Sequence, residues 1–132
     1  MTIRASGAFE VKLGPLTTYE NAEGSPLGRL SIDKQFRGDL DATSRGEMLS
    51  ASGGVKGSAG YVAIERVRGT LHGRSGSFVL QHSGRMARGA PELVITVVPD
   101  SGTDELEGLA GTMMISVEPG KHSYEMEYTL GD

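Results

Sequence analysis

The chain has 132 residues, of which 37% are hydrophobic (AVILMFWYC) and 20 are glycine, and it contains no cysteine. This length fits one domain, the composition excludes a disordered or fibrous chain, and the lack of cysteine excludes disulfides and thiolate metal sites. The formal net charge of -4, from 13 basic and 17 acidic residues, lacks the basic excess that would attract nucleic acid or an anionic membrane.

Short runs of alternating apolar and polar residues follow one another along the chain, and none shows sustained helical spacing. Segments 15–26, 51–58 and 85–91 are rich in turn-forming and small residues and are predicted as loops. The predicted strands span residues 3–13, 29–37, 39–50, 59–71, 75–84, 92–98, 105–117 and 121–130.

These eight predicted strands are joined by links of hairpin length, which indicates an up-and-down antiparallel arrangement. A single open sheet of this size would expose two long edges that promote aggregation, and closure removes them. We therefore predict an all-β fold: a closed eight-stranded antiparallel up-and-down β-barrel, formed by one domain over residues 1–132. A sandwich of two sheets is the alternative.

The predicted fourth and sixth strands are apolar on both faces. In the fourth, Tyr61, Ala63 and Val67 share one face, while Val62 and Ile64 lie on the other. Strands that are apolar on both faces are usually covered on both, and a barrel lumen covers only one. The outer surface of the fourth to sixth strands is therefore predicted to be a homo-oligomer interface. The preference of strands for β-branched residues is the simpler explanation of the same pattern.

Residues 57–84 (GSAGYVAIERVRGTLHGRSGSFVLQHSG) and 97–113 (VVPDSGTDELEGLAGTM), with 6–13 (SGAFEVKL) and 122–130 (HSYEMEYTL), carry a family resemblance. Together they resemble a bacterial family of small proteins known only as a domain of unknown function, whose members resemble the plant allene oxide cyclase barrel. The resemblance implies a closed eight-stranded antiparallel β-barrel that tends to oligomerise. It implies no established activity, and nothing here matches the cyclase site, so no catalytic residue is carried over. This sequence has His72 where the family turn usually has glycine, which favours a turn role for His72.

Two histidines lie on strand faces that are predicted to look nearly across the lumen at each other. His82 shares its face with Phe78 and Leu80, and His122 shares its face with Tyr124. Both imidazoles could meet one ligand, and an imidazole near neutral pH donates and accepts protons. The simpler interpretation makes each a rim or core residue bonded to the backbone. No strand presents two histidines at metal-ligand spacing, so no metal and no cofactor are expected.

Two charged residues interrupt apolar faces: Lys34 lies between Ile32 and Phe36, and Glu65 shares the face of Ala63. A charge in a barrel lumen is unfavourable unless it is paired or reaches water or a ligand. We expect these two residues to pair across the curved wall, or, if only one is buried, that one to mark a binding site. A purely structural ion pair is the alternative, and a bulge in the fourth strand would reverse its faces.

The leading hypothesis is a barrel that binds a small apolar molecule in its lumen. The residues expected to contact it are His82, His122, Tyr124, Tyr128, Lys34 and Glu65. By analogy of fold alone, such a lumen also suits cofactor-free isomerisation or cyclisation. The alternative is a structural or interaction protein with a packed barrel, and a lumen cavity of about 300 Å³ or more would favour the ligand. With no signal peptide or transmembrane run in the sequence, a cytoplasmic location is expected.

Overall fold

The computed structural model describes residues 2–131 and forms a closed barrel of eight antiparallel strands. Each strand pairs with its neighbours in the chain, and the last pairs with the first. The strands are β1 (Ile3–Leu16), β2 (Leu27–Phe36), β3 (Leu40–Ser52), β4 (Ala59–Leu71), β5 (Arg74–Ala87), β6 (Ala90–Val97), β7 (Leu109–Glu118) and β8 (Lys121–Leu130). The predicted all-β barrel is confirmed. No helix in the described range is long and apolar enough to cross a membrane.

The side chains of each strand alternate between the lumen and the outer surface, as the period of two requires. On β4, Ala63, Glu65 and Val67 are buried in the lumen, whereas Val62 and Ile64 are exposed outside. The pairing of β4 with β3 and β5 runs without a bulge. The faces predicted for this strand are therefore confirmed.

The first predicted strand ends too early, because Pro15 does not stop it. β1 continues to Leu16 and pairs with β2 along this stretch. Beyond Ala8, β1 pairs with β2 alone, so one side of the strand carries no ladder. The carbonyl of Ala8 accepts a bond from Arg37 of the following turn, and alternation from there directs the nitrogen of Pro15 to the unpaired side. The missing N–H of proline is therefore not needed.

The loop predicted at 85–91 is also wrong. Its residues complete β5, turn at Arg88 and Gly89, and begin β6. Both turn residues have positive φ, 50° and 91°, the backbone that two-residue hairpins adopt to match strand twist. The end of the β5–β6 hairpin forms a ribbon that β4 flanks as far as Met86, while its β6 side pairs with β7 only at Ile95 and Thr96.

The predicted seventh strand begins too early, since residues 104–106 form a 3-10 turn and β7 starts only at Leu109. This link folds under the barrel and adds Leu106 to the core. Gly76 makes room for it, because a Cβ there would lie 2.2 Å from the carbonyl oxygen of Thr103. The link closes one end of the barrel, which we name the closed end.

The core fills the closed end, and the opposite end, the mouth, is open. The largest fully buried apolar side chains are Phe36, Phe78, Leu40, Leu71, Leu80, Leu106, Leu109, Met126 and Val67. Toward the mouth, the inward-facing residues Val11, Leu13 and Val117 are 36%, 47% and 62% exposed. The same lumen is thus packed at one end and lined by accessible apolar side chains at the other.

The ring is least tightly joined between β6 and β7. Their ladder consists of Ile95 with Met113 and Thr96 with Thr112. Every other neighbouring pair of strands shares a longer ladder. This short ladder is called the β6–β7 seam below.

Candidate functional site

A cavity of about 230 Å³ lies in the lumen on the mouth side. Apolar side chains form most of its wall, and Lys34, His82, His122 and Tyr61 are the ionisable side chains that line it. A second depression of about 360 Å³ shares Met48 and Tyr61 with this wall and continues along the β5–β6 ribbon. The mouth therefore offers a small apolar chamber with an apolar shelf beside it.

The floor of the chamber is a buried polar cluster centred on the Glu65 carboxylate. Its Oε2 accepts hydrogen bonds from Lys34 Nζ at 2.8 Å and from His82 Nε2 at 2.5 Å. Its Oε1 accepts a bond from Ser44 Oγ at 2.6 Å. The side chains of Glu65, His82 and Lys34 are only 0%, 4% and 7% exposed. We call Lys34, Glu65 and His82 the floor triad.

The strands place the floor triad by register. Lys34 on β2 lies opposite Ser44 on β3, and Glu65 on β4 lies opposite Gly46. A Cβ on Gly46 would fall 2.8 Å from the Cβ of Glu65 and 2.0 Å from a β4 carbonyl, so only glycine leaves this space. His82 follows on β5, opposite Ala63. Four consecutive strands, β2 to β5, thus each direct one polar side chain to the same point.

The charge on Glu65 is stabilised by its partners. Burial alone raises the pKa of this carboxyl, but hydrogen bonds from His82, Lys34 and Ser44 and the positive charge of Lys34 outweigh it and hold the pKa at about 2. Lys34 Nζ also lies 5.3 Å and 5.6 Å from the ring centroids of Phe9 and Phe36, within the range of a cation–π contact. The floor therefore contains a true ion pair.

His82 keeps one ring nitrogen free for a ligand. Because Nε2 bonds to an ionised carboxylate, Nε2 must carry a proton. Within residues 2–131, no hydrogen bond engages Nδ1, and no buried side-chain nitrogen or oxygen lacks a partner. Since Nδ1 has no partner, it is not one of the buried atoms. It therefore reaches the open space of the chamber, which His82 lines. In the neutral ring this nitrogen is an acceptor and a base.

His122 lies on the chamber wall rather than on its floor. Its ring packs edge-on against Phe9, with centroids 5.3 Å apart, and it also lines the chamber. The structure therefore brings Lys34, Glu65, His82 and His122, four of the six predicted contact residues, to one end of the lumen. Their role in binding stays a prediction.

Tyr124 and Tyr128 are not at this site, contrary to expectation. The Tyr124 hydroxyl donates to the Arg37 carbonyl and accepts from the Leu40 N–H, both at 2.8 Å, at the closed end. The Tyr128 hydroxyl bonds to Nδ1 of His72, at 2.5 Å, also at the closed end. Alternation places both tyrosines inward but does not give their depth, and this is why the sequence misplaced them.

Two residues at the site, Ser44 and Met48, escaped the sequence, and Tyr61 was placed on the inward face but not among the expected contacts. Ser44 bonds to the triad, and Met48 and Tyr61 join the chamber to the shelf. Burial and the nearby negative charge of Glu65 raise the pKa of Tyr61, so its hydroxyl stays protonated. The third predicted strand is too polar for its faces to be assigned, so nothing marked Ser44 or Met48 as inward.

Within residues 2–131, no group of three His, Asp or Glu side chains is placed to hold a metal ion. The arrangement offers instead one cation with spare protons, one open imidazole nitrogen and apolar walls. Such a site can bind a molecule that is mostly apolar and carries one polar group. Fold and site together define a small antiparallel β-barrel with an accessible, polar-floored lumen.

The chain belongs to DUF3224, a family of proteins of unknown function, whose family model matches residues 5–128. It is similar to a DUF3224 protein of unknown function from Shewanella oneidensis MR-1, known from a crystal structure at 1.84 Å resolution. The two are 53% identical, the match covers 100% of this chain and 99% of that one, and the TM-score is 0.94. No functionally curated protein matches the chain. Membership of a bacterial family of unknown function is thus confirmed, and the likeness to the allene oxide cyclase barrel stays a prediction.

Proposed function

We propose that this barrel binds a compact, mostly apolar molecule in the mouth chamber, with the molecule's polar group against Lys34 and His82. The observation that carries this proposal is a buried ion pair and imidazole beneath an apolar, accessible cavity. A charged cluster in a core stabilises a fold less than apolar residues of the same volume often would. Retaining it next to a cavity is therefore more easily explained by recognition than by stability.

The size of the chamber limits the ligand. Its volume of about 230 Å³ is below the threshold of about 300 Å³ given above, which is also the lower limit for pockets that hold drug-sized molecules, so the chamber alone does not meet that criterion. The ligand is therefore smaller than a drug, or it extends onto the shelf formed by Met86, Pro91 and Leu93. We place this role in the cytoplasm, with which the absence of cysteine is compatible.

The test begins with native mass spectrometry of the protein purified from its own host, which detects a retained molecule and its mass. Ligand-observed NMR with cyclohexanone as a probe then compares the protein with Ala63→Leu, whose larger side chain extends from the wall and fills part of the chamber. The control is Ala8→Leu, which adds the same volume at an exposed position of β1. We expect binding by the protein and by Ala8→Leu, and its loss in Ala63→Leu. Equal binding by all three proteins would overturn the proposal.

A second candidate function rests on the outer surface of β4–β6. Val62, Ile64 and Val94 are each more than half exposed there, and their neighbours Gln81 and Ser83 are uncharged. The charged residues of this surface flank the apolar patch, with Arg66 beyond Ile64 and the Arg85–Glu92 ion pair beyond Ser83, so two copies can meet at the patch itself. We propose that this face joins two copies of the chain, as the oligomer of an interaction protein requires.

Light scattering during size-exclusion chromatography tests this second candidate. The protein should elute as an oligomer, and Val62→Asp should elute as a monomer because it buries a charge in the interface. Thr129→Asp, on the exposed face of β8, should leave the oligomer intact. A monomer at every protein concentration would contradict the candidate.

A further inference from the structure

We propose that the mouth chamber catalyses proton transfer at the carbon next to a ligand carbonyl, with His82 Nδ1 as the base and Lys34 Nζ as the donor to the carbonyl oxygen. This inference rests on the binding proposed above. It adds a reaction and a substrate class, namely a compact β,γ-unsaturated ketone that becomes its conjugated isomer.

The base is prepared by its bond to Glu65. A carboxylate on Nε2 fixes the tautomer and stabilises the imidazolium that forms when Nδ1 accepts a proton. Burial of Glu65 at 0% exposure keeps water from weakening this bond. The opposite ring nitrogen, Nδ1, has no other bond within residues 2–131 and is open to the chamber.

The donor lies beside the base. Lys34 Nζ and His82 Nε2 share one acceptor, Glu65 Oε2, so the ammonium and the imidazole are neighbours on the chamber floor. An ammonium has three protons, and hydrogen bonding engages one of those of Lys34, with Glu65. The remaining protons can stabilise negative charge on a substrate oxygen, in a site with few other polar groups.

The electrostatics select a neutral substrate. With a neutral His82, the charges of Lys34 and Glu65 cancel, so the floor triad has no net charge. A carboxylate ligand would add an unpaired negative charge to a largely apolar chamber, whereas a ketone adds none. The apolar wall accepts the rest of a small hydrocarbon skeleton.

The reaction is balanced without any cofactor. His82 Nδ1 takes the proton from the α-carbon, the C–H electron pair forms the dienolate, and Lys34 hydrogen-bonds to the oxygen that becomes negative. The imidazolium then returns the proton to the γ-carbon, which moves the double bond into conjugation with the carbonyl. His82 is neutral again, and nothing is oxidised or reduced.

The experiment uses the full chain with 3-cyclohexen-1-one in D₂O, followed by NMR, which reports binding, isomerisation and deuterium uptake in one sample. We expect isomerisation faster than in buffer alone. His82→Gln keeps an amide donor for Glu65 but has no base at the Nδ1 position, so the rate should fall by about 10²–10⁴-fold while binding persists. Thr129→Ala, on the exposed face of β8, should retain the full rate.

The outcomes separate the two proposals. Binding without acceleration by the wild-type protein would overturn the catalytic inference and leave the binding proposal intact. No binding of the ketone would overturn both for this substrate class. Loss of rate in His122→Gln but not in His82→Gln would show that His82 is not the base and would overturn the inference. If His82→Gln does not fold, Lys34→Met decides: the rate should fall by about 10²–10³-fold, and an unchanged rate would overturn the inference.

The positioning role of Glu65 has its own readout. The ¹⁵N chemical shifts of the His82 ring should show a protonated Nε2 and an unprotonated Nδ1. In Glu65→Gln, a side-chain amide can donate to Nε2 and move the proton to Nδ1, so the tautomer should change and the rate should fall. An unchanged rate in Glu65→Gln, despite the changed tautomer, would limit Glu65 to a structural role.

Discussion

The closed end and the mouth are built from the same strands but differ in what their inward side chains meet. At the closed end, Phe36, Leu80 and Leu106 are at most 1% exposed, and the link after β6 seals the lumen. At the mouth, Leu13 and Val117 face inward and yet remain about half or more exposed. The floor triad lies between these two regions.

The stability of the barrel and the proposed recognition of a ligand would therefore depend on different parts of the lumen along its axis. Close packing at the closed end supplies most of the apolar burial. The mouth can then keep accessible apolar walls and a buried charge cluster without support from its own packing. Substitutions at the two ends should therefore have unequal effects on stability.

The largest contrast is expected between Phe78→Ala and Leu13→Ala. Phe78 is 1% exposed in the closed end, and its truncation should reduce the free energy of unfolding by about 3–5 kcal/mol because it leaves a cavity. Leu13 lines the mouth at 47% exposure, so its truncation should cost under about 1 kcal/mol. Urea unfolding of both variants measures the two values. Similar losses would show that the mouth is packed as firmly as the closed end.

The next effect is a pH dependence that arises from Glu65. Its pKa is about 2 in the folded protein and lower than its ordinary 4.5, so the folded state favours the charged form. The resulting stabilisation is complete above about pH 4.5 and is lost as the pH falls toward 2, by about 3 kcal/mol in total and about 2 kcal/mol between about pH 5 and 3.

Urea unfolding at these two pH values should therefore show a steeper loss for the wild-type protein than for Glu65→Gln, whose amide does not titrate. The other carboxyl groups are common to both proteins and cancel in the difference. Parallel loss of stability would mean that Glu65 is not held as an ion in the folded state.

The smallest effect compares two tyrosines at opposite ends. Tyr124→Phe removes the hydroxyl that accepts from the Leu40 N–H and donates to the Arg37 carbonyl, and it should cost about 1–3 kcal/mol because buried backbone groups lose their partner. Tyr61→Phe removes a mouth hydroxyl that bonds to nothing within residues 2–131, so stability should hardly change. Thermal unfolding of the pair measures the difference. A larger loss for Tyr61→Phe would reverse the division of roles.

The sequence predicted the barrel well because strand alternation and closure are local and general rules. The fourth and eighth strands, 59–71 and 121–130, were predicted with their observed bounds. The largest errors lie at 85–91 and 105–108, where local composition opposes the final structure, and a smaller one lies at 14–16, where β1 continues past its predicted end. A hairpin end rich in arginine and small residues (RMARGAP) resembles a loop in sequence, and the apolar Leu106 resembles a strand residue although it seals an end.

The site was only partly predictable, for a geometric reason. Period-two alternation shows that Lys34 and Glu65 face inward, and their ion pair is present at 2.8 Å. Depth along the axis depends on the stagger between strands, which no single strand encodes. His82 therefore joins the triad as a matter of register, while Tyr124, equally inward, lies in the packed end.

The β6–β7 seam has a consequence for motion. Two paired positions hold these strands together, whereas the ladders on either side are longer, so parting here breaks the fewest hydrogen bonds. Such an opening would expose the inner wall near Ile115, which lines the chamber, to solvent from the side. Amide protons at Ile95 and Met113, which face each other across the seam, should then exchange before those in the middle of β4. The proposed ligand would then have two routes into the chamber, one through the mouth and one through this local opening between β6 and β7.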